Sequence, residues 1–324
     1  MHQQDFQKNA FANLQVLVIG DVMIDRYFYG EVNRQSPEAD VPILDVGLIE
    51  NRLGGAANVA LNIAKMGAKA HLMSLLGADE DAAIFKDLLK EQGVCFKLVE
   101  SNRKTTVKAR LYKGNEYLMR YDFEDKHDIE EDELEQLLAN VKLACEKLSL
   151  NAIVLQDYNK GVLSEKSIKS LIDLIKPFGI PIVVDPKEKN FFAYQAVSLF
   201  KPNLKELNKA LSLNINPQDD VALEAACAML RERLDCEMVL ITRAQYGAIG
   251  ANENAYFKEE GLVRSVVDVS GAGDTVIAMA SLLLSLNFSL DKIVYYANLA
   301  GASVIEERGV KALDLRTWEN LLEI

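Results

Sequence analysis

Short runs of β-branched and apolar residues alternate along the chain with longer segments whose apolar positions recur every three or four residues. VLVIG (16–20), AIVLQ (152–156), IPIVVD (180–185) and MVLIT (238–242) form continuous apolar runs, the pattern of parallel strands covered on both faces. Between and around them, residues 56–66, 80–91, 131–147, 165–176, 219–234, 274–286 and 291–305 have the spacing of amphipathic helices. Gly67, Gly93 and Gly179 stand where C-terminal caps belong. The alternation predicts an α/β fold of Rossmann type, a doubly wound and mostly parallel sheet.

Two stretches interrupt that rhythm, residues 26–49 with YFYGEV and VPILDV, and residues 104–123 with TTVKARLYKGNEYLMRYDF. Both have strand character, and KGNE between alternating runs predicts a hairpin turn. Together they form either a small β-sheet apart from the main one or an extension of its edge. No linker rich in Pro, Gly or Ser divides the chain and no repeat is visible, so one domain with an excursion is expected over residues 1–324.

Composition narrows the chemistry. With 36 Lys+Arg against 48 Asp+Glu the formal charge is −12, which repels polyphosphates at long range and disfavours a nucleic-acid partner. Cys95, Cys145, Cys227 and Cys236 are widely spaced, and the three histidines are as scattered, so neither a zinc site nor a His-dependent triad is expected. Acid–base work falls to carboxylates. No apolar run has the length of a membrane span and no leader pattern opens the chain, so the expectation is a cytoplasmic protein with no membrane partner.

Glycine clusters carry the remaining signal, although neither G-x-G-x-x-G after the first strand nor a G-x-x-x-x-G-K-[ST] loop occurs. Val267-Asp268-Val269-Ser270-Gly271-Ala272-Gly273-Asp274-Thr275 leads at once into an apolar helical run. A turn of small residues entering a helix points backbone N–H groups at an anion, with the helix dipole behind them. Asp274 would share that anion site, which suits a base taking a proton from an acceptor hydroxyl; a helix-capping Asp is the alternative. A second turn, Leu53-Gly54-Gly55-Ala56-Ala57-Asn58, also runs into a helix, with Asn58 nearer the glycines than Asn62 and so the better ligand candidate.

G-G-A-A-N-V-A near the start and D-V-S-G-A-G-D-T near the end resemble the two signatures of the ribokinase/PfkB family of sugar kinases, and the resemblance spans residues 14–320. Within that family, GDVMIDRYFYG, RQSPEADVP, RYDFED, QDYNKG, VDPK and KPNLKEL are similar to the bacterial heptose 7-phosphate kinases, also found as the kinase half of a bifunctional protein of ADP-heptose synthesis. The sequence has no H-x-G-H nucleotidyltransferase motif, so no nucleotidyltransferase domain is expected.

The resemblance implies a ribokinase-like core with a small β-sheet lid, ATP as donor with Mg²⁺, and a sugar phosphate as acceptor. It makes Asp274 the general base, and it makes the N–H groups of Gly271, Ala272 and Gly273 the anion hole. Asn203 and Glu206 would organise the Mg²⁺–phosphate waters, with no metal ligand assigned directly. Thr242 and Gly247 would lie by the nucleotide phosphates and Asn298 by the base. Arg243 is open to a phosphate-binding or a structural role. A monovalent cation could sit near Asp268 and Ser270.

Sugar binding would fall to Asp21, Gly54, Gly55 and Asn58, with Asp25 behind them. The acceptor's own phosphate needs cations in an acidic protein. Arg34, Arg120 and Lys187 are the first candidates, Arg110 and Lys160 the next. The unpaired edges of a small lid predict a homodimer. The expected activity is transfer to the anomeric hydroxyl of D-glycero-D-manno-heptose 7-phosphate. A related kinase for another sugar, sugar phosphate or nucleoside, and a non-catalytic sugar-phosphate sensor, are the other readings.

Overall fold

The computed structural model describes residues 10–262, 266–306 and 309–322. The chain starts in the middle of its main sheet. Strand β1 (Gln15–Gly20) lies between β4 (Lys69–Leu76) and β8 (Ala152–Gln156), parallel to both. β5 (Cys95–Glu100) extends the sheet beyond β4; β9 (Ile182–Asp185), β10 (Leu199–Phe200) and β11 (Met238–Thr242) extend it beyond β8, all parallel. β12 (Ala248–Ala251) and β13 (Tyr256–Glu259) close that end as antiparallel strands. Among the described residues the order is β13-β12-β11-β10-β9-β8-β1-β4-β5.

Side-chain alternation divides the core into two layers. Val16 and Val18 of β1 face one layer, in which α1 (Ala56–Lys65), α2 (Glu80–Glu91), α7 (Ala272–Ser285), α8 (Leu290–Ser303) and α9 (Leu315–Leu322) pack. Leu17 and Ile19 face the other, with α3 (Glu131–Lys147), α4 (Glu165–Ile175), α5 (Leu204–Leu211) and α6 (Asp220–Leu234). This is the doubly wound arrangement the alternation predicts.

The excursion is a separate four-stranded sheet. β2 (Val22–Gln35), β3 (Pro42–Gly55), β6 (Val107–Lys113) and β7 (Glu116–Phe123) pair in the order β3-β2-β6-β7, so extension of the main sheet's edge is excluded. Its boundaries are wider than 26–49 at both ends, because β1 passes into β2 with only Asp21 between them and β3 runs without a loop into α1. The second half begins at Val107 rather than 104, and its turn is at Gly114 as KGNE predicts.

Register sorts the lid into two unlike faces. Asp25, Arg52, Lys108 and Asp122 form one row, and Tyr27, Glu50, Arg110 and Arg120 the next on the same face. The opposite face carries Phe28, Ile49, Met119, Tyr121 and Phe123, all exposed except the half-buried Phe28.

Candidate active site

The C-terminal ends of β1, β8, β9 and β10, the turn from β3 into α1, and the start of α7 converge below the polar face of the lid. The C-terminal edge of a parallel sheet is where such folds place their ligands. Gly271 caps α7 with a left-handed backbone, φ 84°. The first-turn amides of a helix have no intrahelical carbonyl to bond. Of the three groups expected in the anion hole, however, the Ala272 N–H bonds back to the Val269 carbonyl at 3.3 Å, which leaves Gly271 and Gly273 as the better-placed donors.

Asp274 does not cap its helix, since Gly271 holds the cap position and Asp274 lies inside the first turn. Its carboxylate instead receives the Asn58 amide at 2.8 Å, the Tyr158 hydroxyl at 2.7 Å and, at 3.3 Å, the Gln156 amide. Burial pushes its pKa up to about 6; Asn58 and Tyr158 hold it down, Asp185 raises it and Lys187 lowers it. A carboxylate so poised is basic enough to take a proton and still ionised near neutrality.

Asp21 and Asp25 exchange the importance the sequence suggests. Asp21 is buried with its oxygens receiving the backbone N–H groups of Tyr158, Lys160 and Val162 at 2.8–3.0 Å, so it ties the loop after β8 to the end of β1. Burial nevertheless raises its pKa. Its carboxylate thus holds the loop rather than facing the cleft. Asp25, also buried, lies on the polar lid face and accepts from Arg110 at 2.5 Å. Gly54 must be glycine beside it, because a Cβ there would stand 2.2 Å from Asp25 Oδ2, while Gly55 turns the chain into α1 at φ 62°. Asn58 joins this group to Asp274, and Asn62 is buried, accepting from the Thr275 hydroxyl and from the Leu313 N–H.

Arg34 does not reach the cleft. It is exposed near the tip of the hairpin, pairs with Asp45 at 3.3 Å, and lies nine strand residues beyond Asp25, about 30 Å at strand rise. Arg120 does share the inner lid face, opposite Arg110, and pairs with Asp122 at 2.8 Å. Lys108 of the same face rests 5.3 Å above the Tyr158 ring; burial lowers its pKa, against Asp25, and the positive Lys160 adds to the lowering. Lys160 is bound to Glu124. The cations on this face are Arg52, Lys108, Arg110 and Arg120, with Lys160 of the loop after β8 held near them by Glu124.

Lys187, expected beside them, belongs to the other end. Its ammonium donates to Glu206 Oε1 at 2.5 Å, and although burial opposes its charge, Asp185 and Glu206 raise its pKa. Glu206 returns its second oxygen to the Asn203 N–H at 2.9 Å, while Asn203 Oδ1 receives the Glu206 N–H at 2.9 Å. The N-x-x-E element is thus a capping box that starts α5 and keeps one carboxylate oxygen for a cation. Among the described residues no trio of His, Cys, Asp or Glu could hold a metal ion. Asp185 Oδ1 is among the buried acceptors without a hydrogen-bond partner, 3.9 Å from the Lys187 ammonium, and Glu206 has one oxygen on Lys187 and the other on the Asn203 N–H. That donor set suits Mg²⁺ delivered by a nucleotide with its waters attached, and it does not suit a resident cage.

Thr242 lies beside Asn203 across an isolated bridge. Gly247 owes its identity to packing, for a Cβ there would meet the Glu259 carbonyl at 2.1 Å with φ at 84°. Arg243 is structural. It is buried and donates to the carbonyls of Pro217 (2.6 Å) and Glu259 (3.1 Å). Asn298 donates to the Glu260 carbonyl at 3.0 Å on the adjoining loop. Asp268 accepts from the N–H groups of Ser270 and Gly309, both at 2.9 Å.

Sequence reading missed Tyr158, Gln156, Asp185 and Lys201. Lys201 is 2% exposed, pairs with Asp185 at 3.1 Å, and lies 3.9 Å from a Cβ built on Gly273, so it adds a buried positive charge below the start of α7. Removing one member of a buried pair costs about 3–5 kcal/mol where the other is left uncompensated, and the Lys187 ammonium, 3.9 Å from Asp185 Oδ1, offsets only part of that loss. Lys201→Met is therefore expected to lower the denaturant midpoint strongly, and a midpoint equal to the wild type's would show that Asp185 does not need its partner.

A family model, pfkB family carbohydrate kinase, matches residues 13–318. Among curated proteins, the bifunctional protein HldE of Aliarcobacter butzleri is 36% identical over 91% of this chain and 61% of its own length. That of Stutzerimonas stutzeri is 39% identical over 94% and 62%. The chain thus spans about three fifths of the length of these relatives. Among solved structures, phosphofructokinase-2 of Escherichia coli in complex with potassium superposes with a TM-score of 0.80 at 21% identity, covering 96% of this chain and 98% of that one. Ribokinase of Arabidopsis thaliana complexed with ribose and ATP gives 0.73 at 16%, over 96% and 99%. The fold is ribokinase-like.

Proposed function

The chain belongs to the pfkB family of carbohydrate kinases, and we propose that it transfers the γ-phosphoryl group of ATP to the anomeric hydroxyl of D-glycero-D-manno-heptose 7-phosphate. The product would be the 1,7-bisphosphate used in ADP-heptose and lipopolysaccharide core synthesis. The observation that carries the reading is the placement of the buried Asp274 between two groups of cations: Lys187 and Lys201 on the core side, and Lys108, Arg110, Arg120 and Lys160 around the lid. An acceptor with a phosphate at its far end is what the second group suits. The likeness of GDVMIDRYFYG and QDYNKG to heptose 7-phosphate kinases supplies the sugar.

In this reading Asp25, Gly54 and Asn58 hold the sugar hydroxyls, and Asp274 accepts the proton of the anomeric hydroxyl. The hydroxyl oxygen forms its bond to the γ-phosphorus as the bond to the ADP oxygen breaks, and ADP leaves with that electron pair. Gly271 and Gly273 N–H groups and Lys187 face the charge in transit. Asn203 and Glu206 would hold the waters of a magnesium ion that arrives with the nucleotide, which would supply charge neutralisation on the phosphates. Asn203, Thr242 and Asn298 flank the nucleotide. The loop 268–270 remains the place proposed for a monovalent cation.

Residues 13–318 would act as one kinase unit in the cytoplasm, where ATP and sugar phosphates are supplied. No helix among the described residues is long and apolar enough to cross a membrane. The apolar lid face with Ile49, Met119, Tyr121 and Phe123 would be covered in a homodimer. Sedimentation is expected to give a dimer for the wild type and a monomer for Ile49→Asp/Phe123→Asp; a monomeric wild type would refute the dimer. ADP release coupled to a panel of acceptors tests the substrate.

A further inference from the structure

We propose that Tyr158 is a positioning residue of this kinase, its hydroxyl fixing and ionising the Asp274 carboxylate while its ring seats Lys108 of the lid. The proposal rests on Asp274 being the base. Three observations carry it. The Tyr158 hydroxyl donates to Asp274 Oδ1 at 2.7 Å, the shortest of the three bonds made to that carboxylate. Two ammonium groups lie over the ring, that of the lid residue Lys108 at 5.3 Å from its centroid and that of Lys187, just after β9, at 5.4 Å. The backbone of the residue is itself fixed, since its N–H donates to Asp21 at 2.8 Å and the following Asn159 N–H donates to Asp157 at 2.7 Å.

Tyr158 cannot serve as a base itself. Burial, together with the negative Asp274 and Asp185, raises its phenol well above its usual value, so it stays protonated and remains a donor throughout the working pH range. A hydrogen bond to the charged form of an acid favours that form. The other groups facing Asp274 are Asn58 from α1, Gln156 from the end of β8, Asp185 from the end of β9, and Lys187 after it. Asp25 faces Tyr158 from the lid, and Lys201 stands near Gly273. None of these changes when the phenol hydroxyl alone is removed.

The experiment is the pH dependence of kcat/KM for the acceptor, from pH 5 to 9, in the wild type, in Tyr158→Phe and in a protein carrying 3-fluorotyrosine at position 158. The carboxylate is the active form, so the wild type loses rate as pH falls through about 6. In Tyr158→Phe the acid limb is expected to move up by about one pH unit, so that the rate is about fivefold lower at pH 6, approaches tenfold lower at pH 5, and recovers nearly all of the difference at pH 8, with KM for ATP unchanged. The fluorinated phenol is a stronger donor and is expected to move the limb the other way. It also decides the question alone if the Phe variant fails to fold. Superimposed profiles, or a loss of equal factor at every pH, would overturn the role of the hydroxyl while leaving the kinase reading intact. A wild type that phosphorylates no sugar would overturn both.

Discussion

Asp274→Asn is expected to lower turnover by roughly 10²–10⁴-fold, the range in which loss of a positioned base falls. The replacement keeps the size of the side chain and removes a carboxylate that burial disfavours, so unfolding temperature should be held or slightly raised. Asp274 makes no bond to the first-turn N–H groups of α7, so the helix loses only the interaction of a first-turn carboxylate with its dipole. Steady-state kinetics beside thermal unfolding check the pair of outcomes. Turnover near the wild-type value would remove the base from the account, whereas low turnover with collapsed stability would mean that Asp274 matters mainly for folding.

The second large effect concerns the acceptor's phosphate. Charge-assisted hydrogen bonds contribute about 1.5–3 kcal/mol each, so two of them should favour a phosphorylated acceptor by at least ~10²-fold, or roughly 2.7 kcal/mol in transition-state binding. Lys108→Ala/Arg120→Ala is expected to erode that preference and to leave KM for ATP nearly unchanged, since both residues are on the lid while Asn203 and Thr242 lie across the cleft. Lys187→Ala should instead depress turnover on every acceptor, because its ammonium is committed to Glu206 below the base. A double variant with full preference would show that the phosphate is held elsewhere.

Much of this was legible in the residues themselves. The apolar runs at 152–156 and 238–242 coincide with β8 and β11, because parallel central strands are buried on both faces and need continuous apolar sequence. Strands without that signature escaped. β4 and β5 carry Lys, His or Ser among their apolar positions, β10 is two residues long, and β12 is the small-residue run AIGA. In the site, Asp274 and Asn58 could be read because glycine turns announce them.

The choice between Asp21 and Asp25 could not be made from spacing, since it depends on β1 running almost unbroken into the lid. Arg34 was misplaced for a related reason: a suitable side chain says nothing about how far along a hairpin it stands. Tyr158 and Asp185 had a usable signal, the polar residues at the ends of apolar strands in QDYNKG and VDPK. Lys201 had none, because a buried lysine is intelligible only once its carboxylate is seen.

The most direct test is an ADP-release assay of the wild type over phosphorylated and free sugars, with the product identified by ³¹P NMR. Heptose 7-phosphate is expected to be used at least ~10²-fold better than unphosphorylated heptose, fructose or ribose, with the new phosphate on the anomeric carbon. Preference for a free sugar, or ADP release independent of any acceptor, would contradict the account.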